Sequence, residues 1–300
     1  MRIYKGETFA EAYELALSAT LHNPEYVTSP RGMKIFESTN AAIVVEDPTY
    51  CLYENERRSS QFKYIAAELV WYFTGRKDAN FITPYAKFWD QIANKDGSVN
   101  SAYGNLIFTE HNEHYYNQYQ WALESLIKDQ DSRQAILHFN KPSHQWNGNK
   151  DFVCTLNGVF QIRDNKLNFT IDMRSNDLIL GTPTDVAFFC LLQQQMLEHL
   201  IPYYPGLQLG TYTHIVHSLH LYERHFNLVG EMLLKSFTPA SFPEMREFLI
   251  DPKGYALDGI KEIEDEMIQS NDVLQTSKFN PSQKDDLLHQ WISDAIFLDI

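Results

Sequence analysis

Between residues 153 and 200 the order of apolar and polar side chains changes period, and the change predicts three elements. Leu167, Phe169, Ile171 and Met173 alternate with Lys166, Asn168, Thr170 and Asp172, the period-two pattern of a strand with one face on a core. An extended stretch from Val153 to Arg163 precedes it. Asp164 and Asn165 between the two tolerate positive φ and suit a tight hairpin turn. Gly181, Thr182 and Pro183 then end the extended chain and predict a helix start, with Thr182 as N-cap and Pro183 at the first helical position. From Pro183 to Leu200 apolar residues fall on most sides, so this helix is predicted to lie buried in the middle of a domain, with Cys190 as packing.

The same reading covers the rest of the chain. Thr8 to Leu21 is an amphipathic helix opened by the capping box Thr8-Phe9-Ala10-Glu11. Lys34 to Glu46, Ala135 to Phe139 and Leu207 to Val216 read as strands. Phe62, Ile65, Ala66, Leu69, Val70 and Phe73 share one helical face, with Gly75 as the stop. After Val216 comes Ser218-Leu219-His220-Leu221-Tyr222. His220 and Tyr222 stand on one edge if the strand persists, and splay apart if a helix has begun. Beyond residue 236 the chain is rich in Asp, Glu, Ser, Gln and Lys, with helical patches near Pro243 to Leu249, Asp258 to Ile268 and Gln283 to Ile296. The expectation is a domain of residues 1–236 followed by a helical extension, 237–300.

Composition narrows the possibilities. Three hundred residues at 44% hydrophobic content suffice for a sizeable core. A formal charge of 25 − 39 = −14 argues against a nucleic-acid binder, whose affinity comes from neutralising phosphates. A free nucleotide needs only a local basic pocket. Three cysteines, Cys51, Cys154 and Cys190, make neither a disulfide framework nor a metal site. No signal peptide is recognised, and the apolar run Val186 to Leu192 is too short to span a bilayer. The expectation is a cytoplasmic protein with no metal, no membrane and no nucleic-acid partner.

Candidate chemistry gathers on the hairpin. Folding it brings the Cys154 thiol and the Arg174 guanidinium towards each other, and a nearby cation favours the thiolate. Asp185, in the first turn of the following helix, faces the same place. Glu68 sits inside an apolar stretch, where a carboxylate is costly to bury without partners.

These residues fall in a frame: Cys154, then Arg174-Ser175-Asn176-Asp177, then Gly181-Thr182-Pro183-Thr184-Asp185. The frame resembles thymidylate synthase and its pyrimidine-modifying relatives, most of all the branch acting on deoxycytidylate. The resemblance covers most of residues 8 to 230. It implies the thymidylate synthase fold, an α+β (mixed α/β) architecture in which a mixed β-sheet packs with helices around a long buried central helix. It also implies the roles of single residues. Cys154 is the nucleophile, Glu68 organises proton transfer through water, and Tyr103 lies near the reacting carbons. Arg31, Arg174 and Ser175 hold the nucleotide phosphate, and Arg133 reaches it across a homodimer. His220 and Tyr222 hold the sugar hydroxyl. Trp89, Asp177 and Gly181 belong to the folate site. Three positions depart from the family pattern: Thr155 replaces a histidine, Gln134 a second arginine, and Asp185 an asparagine.

The last departure directs the function. Adding a thiolate to carbon 6 of a pyrimidine turns carbon 5 into an enamine-like nucleophile, dividing one hard step into easier ones. The resemblance implies 5,10-methylenetetrahydrofolate as the one-carbon co-substrate. One asparagine amide complements the ring N–H and carbonyl of uracil, whereas cytosine offers an amino donor that a carboxylate accepts. The reading is a hydroxymethyl transfer to carbon 5 of a pyrimidine nucleoside monophosphate, dCMP before the others. Methylation of dCMP, hydroxymethylation of CMP and thymidylate synthesis from dUMP are the alternatives. A non-catalytic nucleotide-binding paralogue is a fourth, against which Cys154 and Glu68 together argue.

Overall fold

The computed structural model describes residues 1–58, 61–111, 113–114, 117–273 and 279–298. Along the chain run β1 (Arg2–Gly6), α1 (Phe9–His22), β2 (Tyr26–Thr28), β3 (Ile35–Val45), β4 (Leu52–Asn55), α2 (Phe62–Phe73), α3 (Ala79–Ile82), α4 (Phe88–Ile92) and α5 (Gln118–Lys128). There follow β5 (Ile136–His138), β6 (Thr155–Arg163), β7 (Lys166–Met173), β8 (Asn176–Asp177), α6 (Thr182–Leu200), β9 (Gln208–Tyr222), α7 (Phe226–Met232), β10 (Phe237–Ala240), α8 (Asp258–Val273) and α9 (Leu287–Phe297). The chain divides into two compact units. The first comprises Met1–Ser60, Ser125–Ile136 and Cys154–Phe242, and the second Gln61–Glu124, Leu137–Val153 and Pro243–Ile300.

The first unit is built on a mixed sheet in which β1, β3, β9, β7 and β6 follow in that order, with β2 added to β3 and β8 to β9. β3 and β9 pair antiparallel, as do β6 and β7, while β7 and β8 both run parallel to β9. The hairpin turns through Asp164 and Asn165 with φ of 50° and 59°, the two positive angles that its right-handed twist demands. The apolar face of the alternating strands then meets α6. Phe160 and Phe169 stack at 3.9 Å and Phe189 of α6 closes on Phe169 at 6.2 Å. Gln193 fastens the helix to the sheet by donating to the Leu167 carbonyl at 2.9 Å. α6 is buried on nearly every side, as its pattern requires. α1 carries the expected capping box, Thr8 and Glu11 each bonding the other's backbone N–H.

In the second unit α2 packs with α8 and α9, Phe62 meeting Trp291 edge-on at 5.5 Å. α2 runs from Phe62 to Phe73, and Gly75 follows in the left-handed region at φ 69°.

The structure corrects three expectations. Thr182 is not the N-cap of α6: Gly181 is, and the Thr182 hydroxyl turns inward to Asn176 Oδ1 at 2.6 Å. Pro243 to Leu249 forms no helix. There the Arg246 and Glu247 amides donate to one Asp286 carboxylate at 2.9 and 3.0 Å, while its other oxygen caps α9. The carboxylate thus supplies what helical hydrogen bonds would have satisfied. Residues 237–240 are a strand, β10, antiparallel to β4, inside the stretch expected to be helical.

Candidate active site

The β6–β7 hairpin positions the first pair. Thr155 opposes Met173, and the Arg174 backbone N–H donates to the Cys154 carbonyl at 2.9 Å, so the pairing runs one step past the strand ends. At that step the Arg174 Nη2 lies 3.3 Å from the Cys154 Sγ. Cys154 is half-buried, whereas Cys51 and Cys190 are buried. A guanidinium donating to sulfur stabilises the charged form, and partial exposure leaves the sulfur open to a substrate. Ser175 is half-buried next to it.

β8 organises the second group. By pairing parallel to Leu219 and His220 of β9, Asn176 and Asp177 are set beside the residues that follow the strand's polar run. Asn176 Nδ2 donates to Asp185 Oδ2 at 2.7 Å. Its Oδ1 faces the Thr182 hydroxyl and, at 3.2 Å, His214 Nε2. His214 Nδ1 is in turn 2.8 Å from the Tyr212 hydroxyl. Burial pushes the Asp185 carboxyl from 3.8 up to about 7, opposed by the bond from Asn176. Burial pulls His214 down to about 3, so its ring is neutral. Gly181 is needed at the turn between them. A Cβ there would stand 2.7 Å from Asn176 Nδ2 and 3.3 Å from Asp185 Oδ2. Asp177 Oδ1 accepts the Ile179 and Leu180 amides at 2.7 and 3.3 Å, and its Oδ2 bonds nothing among the described residues.

β9 stays extended through Tyr222, so His220 and Tyr222 do lie side by side, their rings 5.1 Å apart and perpendicular. His220 Nδ1 is 3.1 Å from the Ser218 carbonyl. A carbonyl only accepts, so Nδ1 carries the hydrogen and Nε2 is left as an acceptor. Arg31 and Arg133 are both exposed, Arg31 in the turn Pro30–Gly32 and Arg133 in the loop before β5.

The second unit carries its own cluster. Glu68 is 5% exposed, and what makes its burial tolerable is its own helix. Tyr64 and Tyr72, one turn to either side, donate to the same Oε1 at 2.6 and 3.2 Å. Trp89 Nε1 donates to the Tyr64 hydroxyl at 3.0 Å, and Tyr103 stacks on Tyr72 at 5.4 Å. Glu68, Trp89 and Tyr103 are therefore joined through two tyrosines. Tyr64 was missed in the sequence, though the i, i+4, i+8 spacing around a buried acid marks it. Asn176, His214 and Tyr212 were likewise not singled out. Their signal is a pair of polar residues at period two on a face of β9 whose neighbours, Gly210 and Val216, are buried.

Comparison with known proteins gives the family. The family model described as thymidylate synthase matches residues 54–265. Over 228 residues the chain is 35% identical to the deoxycytidylate 5-hydroxymethyltransferase of Enterobacteria phage T6, a match covering 73% of this chain and 88% of that protein. It is 28% identical over 232 residues to the deoxyuridylate hydroxymethyltransferase of Bacillus phage SP01, covering 74% and 59%. Among solved structures, the thermostable thymidylate synthase A from Bacillus subtilis matches in fold with a TM-score of 0.63, at 20% identity over 82% of this chain and 89% of that one. Carrying the family's match along most of its length, and a thiol, guanidinium and carboxyl set by the strands and turn that the family frame predicts, the chain belongs to the thymidylate synthase family.

Proposed function

We propose that this protein converts dCMP to 5-hydroxymethyl-dCMP, with 5,10-methylenetetrahydrofolate, the family's co-substrate, as the one-carbon donor. The observation that carries the reading is Asp185, a carboxyl held by Asn176 where the family frame has an asparagine. Cytosine presents an amino donor and an unprotonated ring nitrogen. A carboxyl whose proton is retained near neutral pH can accept from the first and donate to the second, which an amide's donor and acceptor do for uracil.

Each step then has a residue. Cys154, its thiolate supported by Arg174, adds to carbon 6. Carbon 5 takes the one-carbon unit and loses its proton, tetrahydrofolate is expelled to leave an exocyclic methylene, and water adds to that carbon as the thiolate leaves. Glu68, with its two tyrosine donors, handles protons through water, and Tyr103 lies beside that path. Arg174, Ser175 and Arg31 bind the phosphate. His220 Nε2 accepts from the sugar hydroxyl, with Tyr222 alongside. The unused Oδ2 of Asp177 fits a pterin N–H donor, and Gly181 and Trp89 complete the folate contacts. The protein works as a homodimer in which Arg133 serves the partner's phosphate.

The test is mass spectrometry of the product formed from dCMP, dUMP and CMP with methylene folate, in the wild type and in Asp185→Asn. Hydroxymethyl-dCMP should be the main wild-type product. A misplaced buried polar group costs roughly 1 to 3 kcal/mol, so Asp185→Asn should lower dCMP turnover by about one to two orders of magnitude and raise that of dUMP. A wild type that prefers dUMP overturns the reading.

A further inference from the structure

Of the polar line Tyr212, His214, Asn176, Asp185, the first two have no part in the steps above, yet His214 is fully buried and Asn176 is 5% exposed. Only two arrangements of its hydrogens are self-consistent. In the first, the Tyr212 hydroxyl donates to His214 Nδ1, Nε2–H donates to Asn176 Oδ1, and the Asn176 amino group donates to Asp185 Oδ2. In the second the amide is turned over and every donor reverses, so that Asp185 itself must donate to Asn176 through Oδ2.

One observation selects the first. The Thr182 hydroxyl has one proton and two acceptors in reach, the Asn176 amide oxygen at 2.6 Å and the Asp177 carbonyl at 3.1 Å. The first arrangement lets it use the nearer. The second sends it to the farther one. Asp185 Oδ1, moreover, bonds nothing among the described residues, so the oxygen open to carry a proton towards the base is not the one Asn176 holds.

An oxygen already receiving an N–H is the poorer place for a proton. We propose that His214, acting through Asn176, makes Oδ1 the proton-bearing oxygen of Asp185 and thereby selects cytosine over uracil, so that His214 and Tyr212 are specificity-determining positioning residues. The inference rests on the reading that Asp185 meets the base. Oδ1–H donates to the lone pair on the cytosine ring nitrogen. The uracil ring nitrogen carries a hydrogen and meets it donor against donor. As the thiolate adds to carbon 6, the proton passes from Oδ1 to the ring nitrogen and returns when the thiolate leaves, so the balance closes. The raised carboxyl and the neutral imidazole are what this proton placement requires.

The experiment compares kcat/KM for dCMP and dUMP in wild type, His214→Phe, His214→Gln, Asp185→Asn and the Asp185→Asn/His214→Phe double variant. Loss of the Nε2 donor in His214→Phe should lower the dCMP to dUMP ratio about tenfold. His214→Gln, whose amide reaches equally far, should keep it. In the Asp185→Asn background His214→Phe should leave the ratio unchanged, because the group through which it acts is gone. A merely structural histidine lowers both substrates together and leaves the ratio alone, which overturns the inference. An equal fall in both backgrounds also overturns it, while leaving Asp185 as the base reader. If Asp185→Asn itself does not move the ratio, both readings fail. Should His214→Phe not fold, Tyr212→Phe decides: it frees the imidazole tautomer and should lower the ratio severalfold, and an unchanged ratio overturns the inference.

Discussion

Cys154 and Arg174 meet at 3.3 Å through a hairpin whose turn and register are local, so the pair should survive changes elsewhere and fail only when one partner is altered. Cys154→Ser keeps the shape and loses the nucleophile. Nucleotide binding should stay within a few fold, while turnover and tritium release from carbon 5 disappear; tritium release at a comparable rate rules out the covalent step. Asp185 and His214 give a second prediction, for stability. The Asp185 pKa is raised in the folded state, so its contribution is present below 3.8 and is lost as pH rises towards about 7. The His214 pKa is depressed, so its contribution is present above 6.5 and is lost as pH falls towards about 3. Between 3.8 and 6.5 the two slopes oppose each other. Asp185→Asn should leave a stability that rises with pH across that window, and His214→Gln one that falls. Urea midpoints at several pH values measure both, and parallel curves in the two variants contradict the assignment.

Among the elements, the turn from β8 into α6 holds the most chemistry in the fewest residues. Its geometry depends on a missing Cβ. In Gly181→Ala the new methyl stands 2.7 Å from Asn176 Nδ2, and overpacking of this kind costs about 1 to 3 kcal/mol. The side chain that must move is the one that orients Asp185. Gly181→Ala should therefore lower both the melting temperature and the dCMP to dUMP ratio. A variant with reduced stability and an unchanged ratio shows that the Asn176 contact is structural only. The Tyr64, Glu68, Tyr72 ladder on α2 differs in kind, because one helix provides both the acid and its donors. It needs no turn.

At the scale of the whole molecule the prediction is of assembly. Arg133 is exposed in a loop of the first unit, where it is free to serve another subunit, and the proposed homodimer makes each site composite. Mixing Arg133→Ala with Cys154→Ser protomers should restore part of the activity, because one site of the mixed dimer has both residues intact. A protein that stays monomeric at micromolar concentration with full activity excludes it.

The sequence by itself determined whatever short-range chemistry controls. Period and turn residues were enough for the β6–β7 hairpin, the capped α1, α2 with its stop and the all-round burial of α6. The frame of Cys154, Arg174-Ser175-Asn176-Asp177 and Gly181-Thr182-Pro183 resembles the family, and the comparisons bear the family out. The errors share a cause. Thr182 has the chemistry of an N-cap, but a partner from β8 takes its hydroxyl. Pro243 to Leu249 has helical spacing, but the Asp286 carboxylate takes its amides. In both places a group outside the helix outbid the local preference, from β8 six residues before Thr182 and from 40 residues beyond Arg246. The line from Tyr212 to Asp185 likewise crosses between elements. Asn176 lies 38 residues from His214, and the two meet only because β8 pairs with β9. Tertiary structure alone decided which oxygen of Asp185 is held and which is free, because hydrogen-bond direction is a property of neighbours in space.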